Sequence, residues 1–314
     1  MKTNLTVSVA PHWHSGLTIR SSMVNFIIAL IPATIWGIYT FGSSAAKVVA
    51  LCVATAVVIE ALLQLLMKKP VTVADGSAAL TGLLLALLLP AEIKWWLPVV
   101  GVGMAILMKT LFGGLGAYPF NPVLVGWVVL KLSWATDLLT DGDMTPLMVL
   151  RDYGAGDLVM WELKDLLVGD TDLLAATIGT FGAGQIALLI GGIYLLARGT
   201  IRWHIPAAFI VGVAAFSAIF YLQDPDTYAS PLFHLISGNV LLGAFFLATD
   251  YTTSPVTTWG MILFGLGAGI LTVMIRIWGS YYDGVAFAIL LMNMATPLFD
   301  RIKPKAYGRV KANG

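Results

Sequence analysis

Residues 76–114 read GSAALTGLLLALLLPAEIKWWLPVVGVGMAILMKTLFGG, and two apolar runs fill most of this stretch. The runs lie near 77–91 and 94–109 and are divided by a short polar connection that follows Pro90. About 20 apolar residues in a helix cross a bilayer core of about 30 Å, and backbone in hydrocarbon must satisfy its own hydrogen bonds. The stretch therefore predicts two neighbouring membrane helices, of which the first is short.

The whole chain has the same apolar character. Of its 314 residues, 58% are hydrophobic and 11% are charged, whereas a soluble domain has about a quarter charged residues. This composition predicts an all-α polytopic membrane protein with about ten transmembrane helices. The predicted spans are 24–41, 46–67, 77–91, 94–109, 120–136, 181–197, 203–221, 231–249, 259–277 and 284–299. The sequence has no nucleic-acid-binding motif and no metal-ligand spacing, and Cys52, its only cysteine, is expected to pack between helices.

An internal repeat relates the two halves of the chain. Residues 237–280, SGNVLLGAFFLATDYTTSPVTTWGMILFGLGAGILTVMIRIWGS, echo 76–114, with a central glycine (Gly82, Gly243) in the first helix and a Gly-rich second helix. The copies cover spans three and four and spans eight and nine. Because five spans separate them, the sequence predicts two inverted five-helix repeats, an arrangement that often places a polar site at interrupted helices.

The distribution of basic residues predicts the orientation. With the N-terminus inside and alternating spans, the inside segments hold twelve of the eighteen Lys and Arg residues. Cytoplasmic loops carry such an excess. Both termini are therefore predicted to be cytoplasmic. The predicted domains are a cytoplasmic N-terminal segment (1–23), a first membrane repeat (24–136), an extracytoplasmic loop (137–180), a second membrane repeat (181–299) and a basic cytoplasmic tail (300–314).

The extracytoplasmic loop is long and acidic. It holds nine carboxylates against Arg151 and Lys164, and it contains the stretch TDGDMTPLMVL at 140–150. Long connections in compact proteins are usually functional or disordered. The Thr145-Pro146-Leu147 corner in this loop has a simple structural interpretation, in which Thr145 caps a short helix that Pro146 starts.

Few ionisable residues lie within the predicted spans, and each is a candidate for function. Glu60 is expected to pair with Lys68 or Lys69 or to serve an ion pathway. Asp75, at the start of the third span, fits a functional carboxylate and a helix N-cap equally well. Asp250 follows the eighth span. Lys109 and His234 are ambiguous, and snorkelling is the commoner behaviour of such a lysine. Composition alone fits a transporter or a membrane redox subunit equally well.

Five strings make the chain resemble a known family. They are DGSAALTGLLLALLLPA (75–91), GGLGAYPFNPVLVG (113–126), LLIGGIYLLARGTIRWHIPAAFI (188–210), SGNVLLGAFFLATDYTTSPVT (237–257) and DGVAFAILLMNMATPLFDR (283–301). In these strings and their order, the chain resembles the RnfD/NqrB family of membrane flavoprotein subunits. Its length, without a long N-terminal extension, is closer to the D subunits of Rnf complexes.

The resemblance implies a subunit of a bacterial or archaeal cytoplasmic-membrane complex that passes electrons between ferredoxin and NAD+ and translocates Na+ or H+. Its implied partners are the other Rnf subunits, a flavin transferase for maturation and membrane lipid. The implied cofactor is FMN, joined by a phosphoester to a threonine hydroxyl. Some relatives also hold non-covalent riboflavin. In this sequence the resemblance places the FMN on Thr145.

The loop departs from the family pattern at several positions. The pattern has Asp six residues before the threonine, Ser or Thr three before and Ala directly before, where this chain has Leu139, Gly142 and Met144. Either the loop is shifted or the covalent flavin is lost, and Thr140 is the alternative attachment site. The segment ATIGTFGAGQ (176–185) also departs from the family's Gly-Ser-Ile-Gly-Glu-Thr-Ser.

Further cofactor contacts are expected around that second segment and at the repeat interface. Gly179, Gly182 and Gln185 are expected near the flavin ring or phosphate, because glycines permit close approach and helix N-termini favour anions. A turn before a membrane helix is the structural alternative. Asn121 is expected as a cofactor-binding residue, and Asn239 and Asn293 as further polar groups at the interface. The rival hypotheses are a non-redox channel or transporter of the same fold and a scaffold subunit without flavin.

Overall fold

The computed structural model describes residues 18–138, 147, 148, 150, 177–179 and 183–302. Within these residues the protein is helical, and the β-pairing found in them is one isolated bridge between Pro90 and Thr177. The helical segments are α1 (Ile19–Leu66), α2 (Ser77–Leu88), α3 (Trp96–Leu111), α4 (Pro122–Ser133), α5 (Ala183–Ala197), α6 (His204–Gln223), α7 (Pro231–Ile236), α8 (Val240–Leu242, continued by a π-helical turn at Gly243–Leu247), α9 (Thr258–Trp278) and α10 (Val285–Phe299).

The helices have the length and surface of membrane helices. Three of those described, α1, α6 and α9, are long and apolar enough to cross a bilayer, and five others are shorter and equally apolar. Large apolar side chains such as Ile35, Val58 and Leu222 are exposed on the outer surface of the bundle. A contiguous apolar exterior of this extent is typical of contact with lipid. The described part of the chain is thus a helical membrane protein.

Helix α1 contains the first two predicted spans. Its 48 residues would extend about 72 Å at 1.5 Å per residue, more than twice the thickness of a bilayer core. The helix is interrupted at Gly42, where φ is 65° and ψ is −141°. Two helical stretches on either side of Gly42 therefore take the places of the predicted spans 24–41 and 46–67.

Helix α2 ends earlier than the predicted span 77–91. Leu89 has extended backbone angles, and the segment 177–179 pairs with the end of α2. The Ile178 N–H donates to Leu89 O (3.0 Å), and the Gly179 N–H donates to Leu87 O (3.1 Å). These bonds satisfy carbonyls that a helix end would leave open. A long-range pairing of this kind is invisible to hydropathy, so the prediction placed the end too late.

The eighth predicted span is not one continuous helix over 231–249, so the prediction is wrong in the interior of this span. The chain forms α7, leaves the helix over Ser237–Asn239 and resumes as α8 with its π-helical turn. Gly238 has φ 69°, a left-handed conformation that glycine adopts without steric cost. The eighth predicted span is therefore a broken helix, and the break creates a polar site inside an apolar bundle.

Close packing holds the second half together. Helices α6 and α9 run in the same direction, since Gly265 lies against Ile205 O and Gly269 against Phe209 O. A Cβ on Gly269 would be 2.4 Å from Phe209 O, so only glycine permits this approach. In the first half, α1 packs on α2 and α3, while α4 contacts α10 and α1 contacts α5 across the halves. Cys52 is buried among these helices, as expected.

Candidate functional site

The break between α7 and α8 collects the most elaborate polar cluster of the described residues. Arg276, near the end of α9, is 4% exposed and donates from Nη1 to His234 O (2.7 Å) and from Nη2 to Ser237 O (2.9 Å). These carbonyls belong to the last turn and end of α7. A cation at a helix C-terminus interacts favourably with the helix dipole. Arg276 thereby stabilises the point at which the chain leaves the helix.

Asp283 completes the break on its other side. Its Oδ2 accepts from the Asn239 backbone N–H (2.9 Å) and from the Asn239 side-chain amide, directly before α8. Its Oδ1 accepts from Arg276 Nη2 (3.0 Å). A carboxylate is favoured at a helix N-terminus. The Arg276–Asp283 pair therefore bridges the two helix ends. Each side chain has a charge opposite to the partial charge of the helix end that it contacts.

Two described pieces of the predicted outer loop reach this break. Leu147 packs with Ala229 and Phe233, and a Cβ on Gly238 would lie 2.8 Å from Leu147 Cδ1. From the second piece, Thr177 Oγ1 donates to Asn239 Oδ1 (3.4 Å). The first turns of α5 add Gln185, whose Nε2 donates to Gly238 O (2.7 Å). The break is thus the point at which loop and membrane bundle meet.

Three buried polar atoms at the break have no hydrogen-bond partner in the described structure. They are Arg276 Nε, His234 Nδ1 and Ser237 Oγ. A buried unsatisfied donor or acceptor costs about 1–3 kcal/mol. Their concentration at one place fits a site that receives a further polar group.

A second polar cluster lies at the other end of the broken helix. A cavity of about 50 Å³ is lined by Ser77, Lys109, Tyr118, Asn121 and Asp250 together with apolar side chains. A site of this size holds a few waters, which need polar partners such as these. The cavity lies where α2, α3, α4 and the end of the π-helical turn approach one another.

Lys109 corrects two expectations from the sequence. Its Nζ is buried and donates to Glu60 Oε2 (2.9 Å), Glu60 Oε1 (3.0 Å) and Ser77 Oγ (2.7 Å). Glu60 therefore pairs with Lys109, and not with Lys68 or Lys69. Lys109 does not snorkel, because a carboxylate and a hydroxyl satisfy its ammonium inside the bundle. Asp75 Oδ1 accepts from the N–H of Ser77 (2.8 Å), the first residue of α2, although the N-cap position itself is occupied by Gly76 and not by Asp75.

Asp250 is the acidic group of the cavity wall. Its Oδ1 accepts from Tyr118 Oη (3.2 Å) and its Oδ2 from Thr253 Oγ1 (3.2 Å). Burial raises the pKa of Asp250 to about 6, against the lowering effect of these hydrogen bonds. Burial and the neighbouring Asp250 carboxylate also raise the pKa of Tyr118. Asp250 therefore holds a proton more tightly than an exposed aspartate does.

The structure divides the predicted site residues between these two clusters. Gln185 lies at the break, and Gly179 lies nearby along the segment that pairs with α2. Asn121 lies on the other cluster, where its Oδ1 accepts from the Val123 N–H (3.0 Å) and its Nδ2 donates to Leu247 O (2.9 Å). Thr145, Gly182 and the alternative Thr140 lie outside the described residues.

The other two predicted interface asparagines are also well placed. Asn239 joins the break to Asp283. Asn293 on α10, with its amide oriented to satisfy both neighbours, accepts from the Asn121 N–H (3.2 Å) and donates to Ile289 O (3.3 Å). Asn121 and Asn293 thus link helices of the two halves. Arg276 and Asp283 were not predicted as site residues, although an arginine close to the end of an apolar run was a usable signal.

Comparisons with known proteins agree on one family over nearly the whole chain. The family described as NQR2, RnfD, RnfE matches residues 6–308. The chain is 43% identical to the D subunit of the Na(+)-translocating ferredoxin:NAD(+) oxidoreductase complex of Acetobacterium woodii, over 98% of this chain and 96% of the relative. It is 35% identical to the D subunit of the proton-translocating ferredoxin:NAD(+) oxidoreductase complex of Clostridium ljungdahlii (98% and 97%). It is also 35% identical to the D subunit of the ion-translocating oxidoreductase complex of Yersinia enterocolitica (98% and 100%).

These matches run through both polar clusters and leave no large part of the chain outside the alignment. The chain belongs to the NQR2, RnfD, RnfE family.

Proposed function

We propose that this chain is the membrane flavoprotein subunit of an ion-translocating ferredoxin:NAD+ oxidoreductase complex, with FMN covalently bound through Thr145. The observation that supports this most is the near full-length similarity to relatives named for that activity. The subunit is not catalytic alone, because electrons enter and leave through partner subunits.

The break between α7 and α8 supports a cofactor at the Thr145 corner. Leu147, two residues after Thr145, packs against Gly238, and two residues of extended chain span at most about 7 Å. The unpartnered Arg276 Nε, His234 Nδ1 and Ser237 Oγ fit a polar group at this place. A bound flavin accepts one or two electrons and so connects one-electron and two-electron carriers. The residues of this chain would attach the loop to the helical bundle, through Leu147 against Gly238, and would hold the charged Arg276 side chain in place at the break.

Non-covalent riboflavin, which the resemblance implies for some relatives, stays a prediction. For Asn121 the structure supports a structural role beside the cavity of about 50 Å³ that it lines. Asn121 acts there through its own contacts, as a cap for α4 and as a link to Leu247 O.

We propose ten spans in two inverted repeats, with both termini in the cytoplasm and the 137–180 loop outside. Two matching buried cations support the symmetry. Lys109 donates to Ser77, which follows Gly76 (φ 82°) at the start of α2. Arg276 donates to the carbonyl of Ser237, which precedes Gly238 (φ 69°) just before α8. The parallel direction of α6 and α9, two spans apart, agrees with alternating spans.

The positions of exposed tryptophans agree with the same topology. Trp203 and Trp259 precede or begin α6 and α9 at the proposed inner boundary, and Trp95 and Trp278 lie at the proposed outer boundary. Tryptophan is enriched at both membrane–water interfaces. The proposed location is the bacterial or archaeal cytoplasmic membrane.

The proposed partners are the other subunits of the complex, membrane lipid and a flavin transferase that attaches the FMN. The relative named for Na+ is 43% identical to this chain and the relative named for protons is 35% identical, so the proposal keeps both as coupling ions. A second candidate function, a non-redox channel or transporter, is favoured by the polar cavity and the broken helix.

In-gel fluorescence of the denatured subunit, co-expressed with the flavin transferase, separates these functions. We expect fluorescence from the wild type and from Thr140→Ala, and none from Thr145→Ala. Fluorescence lost only in Thr140→Ala would move the attachment site to Thr140. A wild type without fluorescence would reject covalent flavin and favour the transporter or a scaffold subunit.

A further inference from the structure

The connection between α5 and α6 has two exposed arginines and an exposed tryptophan. Arg198 directly follows α5, Arg202 lies four residues further on, and Trp203 comes directly before α6 with 61% of its surface exposed. We call these three residues the basic corner. Neither arginine belongs to an ion pair within the part of the chain that the structure describes. The two positive charges are therefore not neutralised by another described side chain.

The backbone of the basic corner is held in one position. Thr200, between the two arginines, is buried, and its N–H donates to Leu195 O (3.0 Å). Its Oγ1 accepts from Asn25 Nδ2 on α1 (3.3 Å), and its carbonyl oxygen accepts from Tyr251 Oη. Ile201 is buried as well. Because α1 and the segment after α8 both hold the connection, a ligand that binds here does not have to order its backbone.

The surroundings of the basic corner contain little negative charge. Residues 19–59 and 183–223, which include most of α1 and all of α5 and α6, have no Asp or Glu. Asp250 is next to Tyr251, but its carboxylate accepts hydrogen bonds from Tyr118 and Thr253 inside the bundle. The basic corner is therefore complementary in charge to an anion.

An apolar stripe on α5 leads to the basic corner. Four exposed residues lie three or four positions apart, so they share one face of the helix. They are Ile186, Ile190, Ile193 and Ala197. The stripe rises about 16 Å at 1.5 Å per residue, which is about half the thickness of a bilayer core of about 30 Å. Its length therefore matches one acyl chain of a lipid in one leaflet.

We propose that the basic corner and the α5 stripe form a binding site for one anionic phospholipid. The phosphate group binds at Arg198 and Arg202, and an acyl chain lies along the stripe. Arginine suits a phosphate because its planar guanidinium donates two parallel hydrogen bonds, and tryptophan is enriched at the level of the headgroups. Basic pockets between membrane helices bind anionic headgroups in this way.

A phospholipid explains more of these features than an acidic protein surface does. An acidic surface accounts for the arginines only, whereas a phospholipid also accounts for the tryptophan and for the length of the apolar stripe. The inference is independent of the flavin and requires only that the chain lies in a membrane.

The test is native mass spectrometry of the purified full-length subunit in detergent, titrated with dioleoyl phosphatidylglycerol or with dioleoyl phosphatidylcholine. We expect the wild type to bind the anionic lipid more tightly than the neutral one. The double variant Arg198→Gln with Arg202→Gln is expected to bind phosphatidylglycerol about tenfold more weakly, with phosphatidylcholine unchanged. The double variant Arg198→Lys with Arg202→Lys keeps both charges and is expected to lose less.

Lys68→Gln with Lys69→Gln is the matched control, because it removes two exposed positive charges from another connection. An equal loss in this control, or unchanged binding in the Arg198→Gln, Arg202→Gln variant, overturns the proposal. If that double variant does not fold, the two single Gln variants decide by the same comparison.

Two further outcomes would replace the lipid by another ligand. A wild type that binds both lipids equally overturns the proposal and favours an acidic surface of a partner subunit at the basic corner. Inorganic phosphate that displaces phosphatidylglycerol at equal concentration would assign the site to a free anion.

Discussion

Lys109 and Arg276 show how this protein keeps cations inside an apolar bundle. Each is almost completely buried, each is paired with a carboxylate, and each donates to a serine next to a glycine of positive φ, Gly76 or Gly238. A buried cation is tolerated only with such partners. Of the two, the sequence singled out only Lys109, and it did not reveal the partner of Lys109, because Glu60 is closer in sequence to Lys68 than to Lys109.

Removing one member of the Lys109–Glu60 pair is expected to be strongly destabilising. Lys109→Met leaves an uncompensated buried carboxylate, and breaking a buried pair typically costs about 3–5 kcal/mol. The double variant Lys109→Met with Glu60→Gln is expected to recover part of that loss. Thermal unfolding of the purified protein in detergent measures both effects.

Lys94→Met serves as the control for this pair. Lys94 bonds Asp137 at 2.6 Å, but its side chain is 61% exposed, and exposed pairs contribute about 1 kcal/mol or less. Equal losses from Lys94→Met and Lys109→Met would contradict the account of Lys109 as a buried ion pair.

Asp250 is expected to make stability depend on pH. Burial raises its pKa from the usual 3.8 to about 6, so the folded protein keeps a proton that the unfolded chain has released. Its contribution to stability is fully present below the unfolded pKa and is lost as pH rises through about 6. The melting temperature of the wild type should therefore fall more steeply than that of Asp250→Asn from about pH 4 to about pH 7. Parallel pH profiles of the two proteins would be incompatible with a raised pKa.

At the scale of elements, hydropathy located the helices but mispredicted the end of one helix and the continuity of another. All ten predicted segments contain helix, and the predicted 94–109 and 284–299 differ from α3 and α10 by two residues or fewer at each end. The errors lie in 77–91 and 231–249. The ends there depend on partners distant in sequence, namely Thr177 to Gly179 for α2 and Arg276 with Asp283 for the break. Hydropathy averaged along the sequence contains no information about contacts between residues that are distant in sequence.

Gly238 is the residue on which the break depends. Alanine at this position would have a left-handed φ, which costs about 1–2 kcal/mol, and would also place its Cβ against Leu147 and Arg276. Gly199 has a similar φ of 64° with no atom within 4 Å, so Gly199→Ala has only the conformational cost. We expect Gly238→Ala to lower the melting temperature clearly more than Gly199→Ala. Similar losses would show that the break has free space at Gly238.

At the scale of the whole molecule, the topology makes a prediction about accessibility. In a Cys52→Ala background, Lys94→Cys and Asp226→Cys should react with a membrane-impermeant maleimide added to intact cells, because both positions lie in proposed outer connections. Lys68→Cys and Arg202→Cys should react only after the membrane is opened. Labelling of Arg202→Cys in intact cells would invert the proposed orientation.

The candidate site was only partly predictable at this scale. Gln185, Asn121, Asn239 and Asn293 were chosen from motifs, and the fold brings them to the break or to the contact between the halves. The cofactor role of Thr145 stays a prediction. Its support is the family similarity together with the position of Leu147 against Gly238.

Peptide mapping by mass spectrometry of the mature subunit tests the central proposal most directly. We predict that the peptide containing Thr145 has the mass of an FMN phosphoester and that fragmentation places the added mass on the Thr145 hydroxyl. An unmodified Thr145 peptide, from a subunit matured with its flavin transferase and present in an active complex, would contradict the proposal.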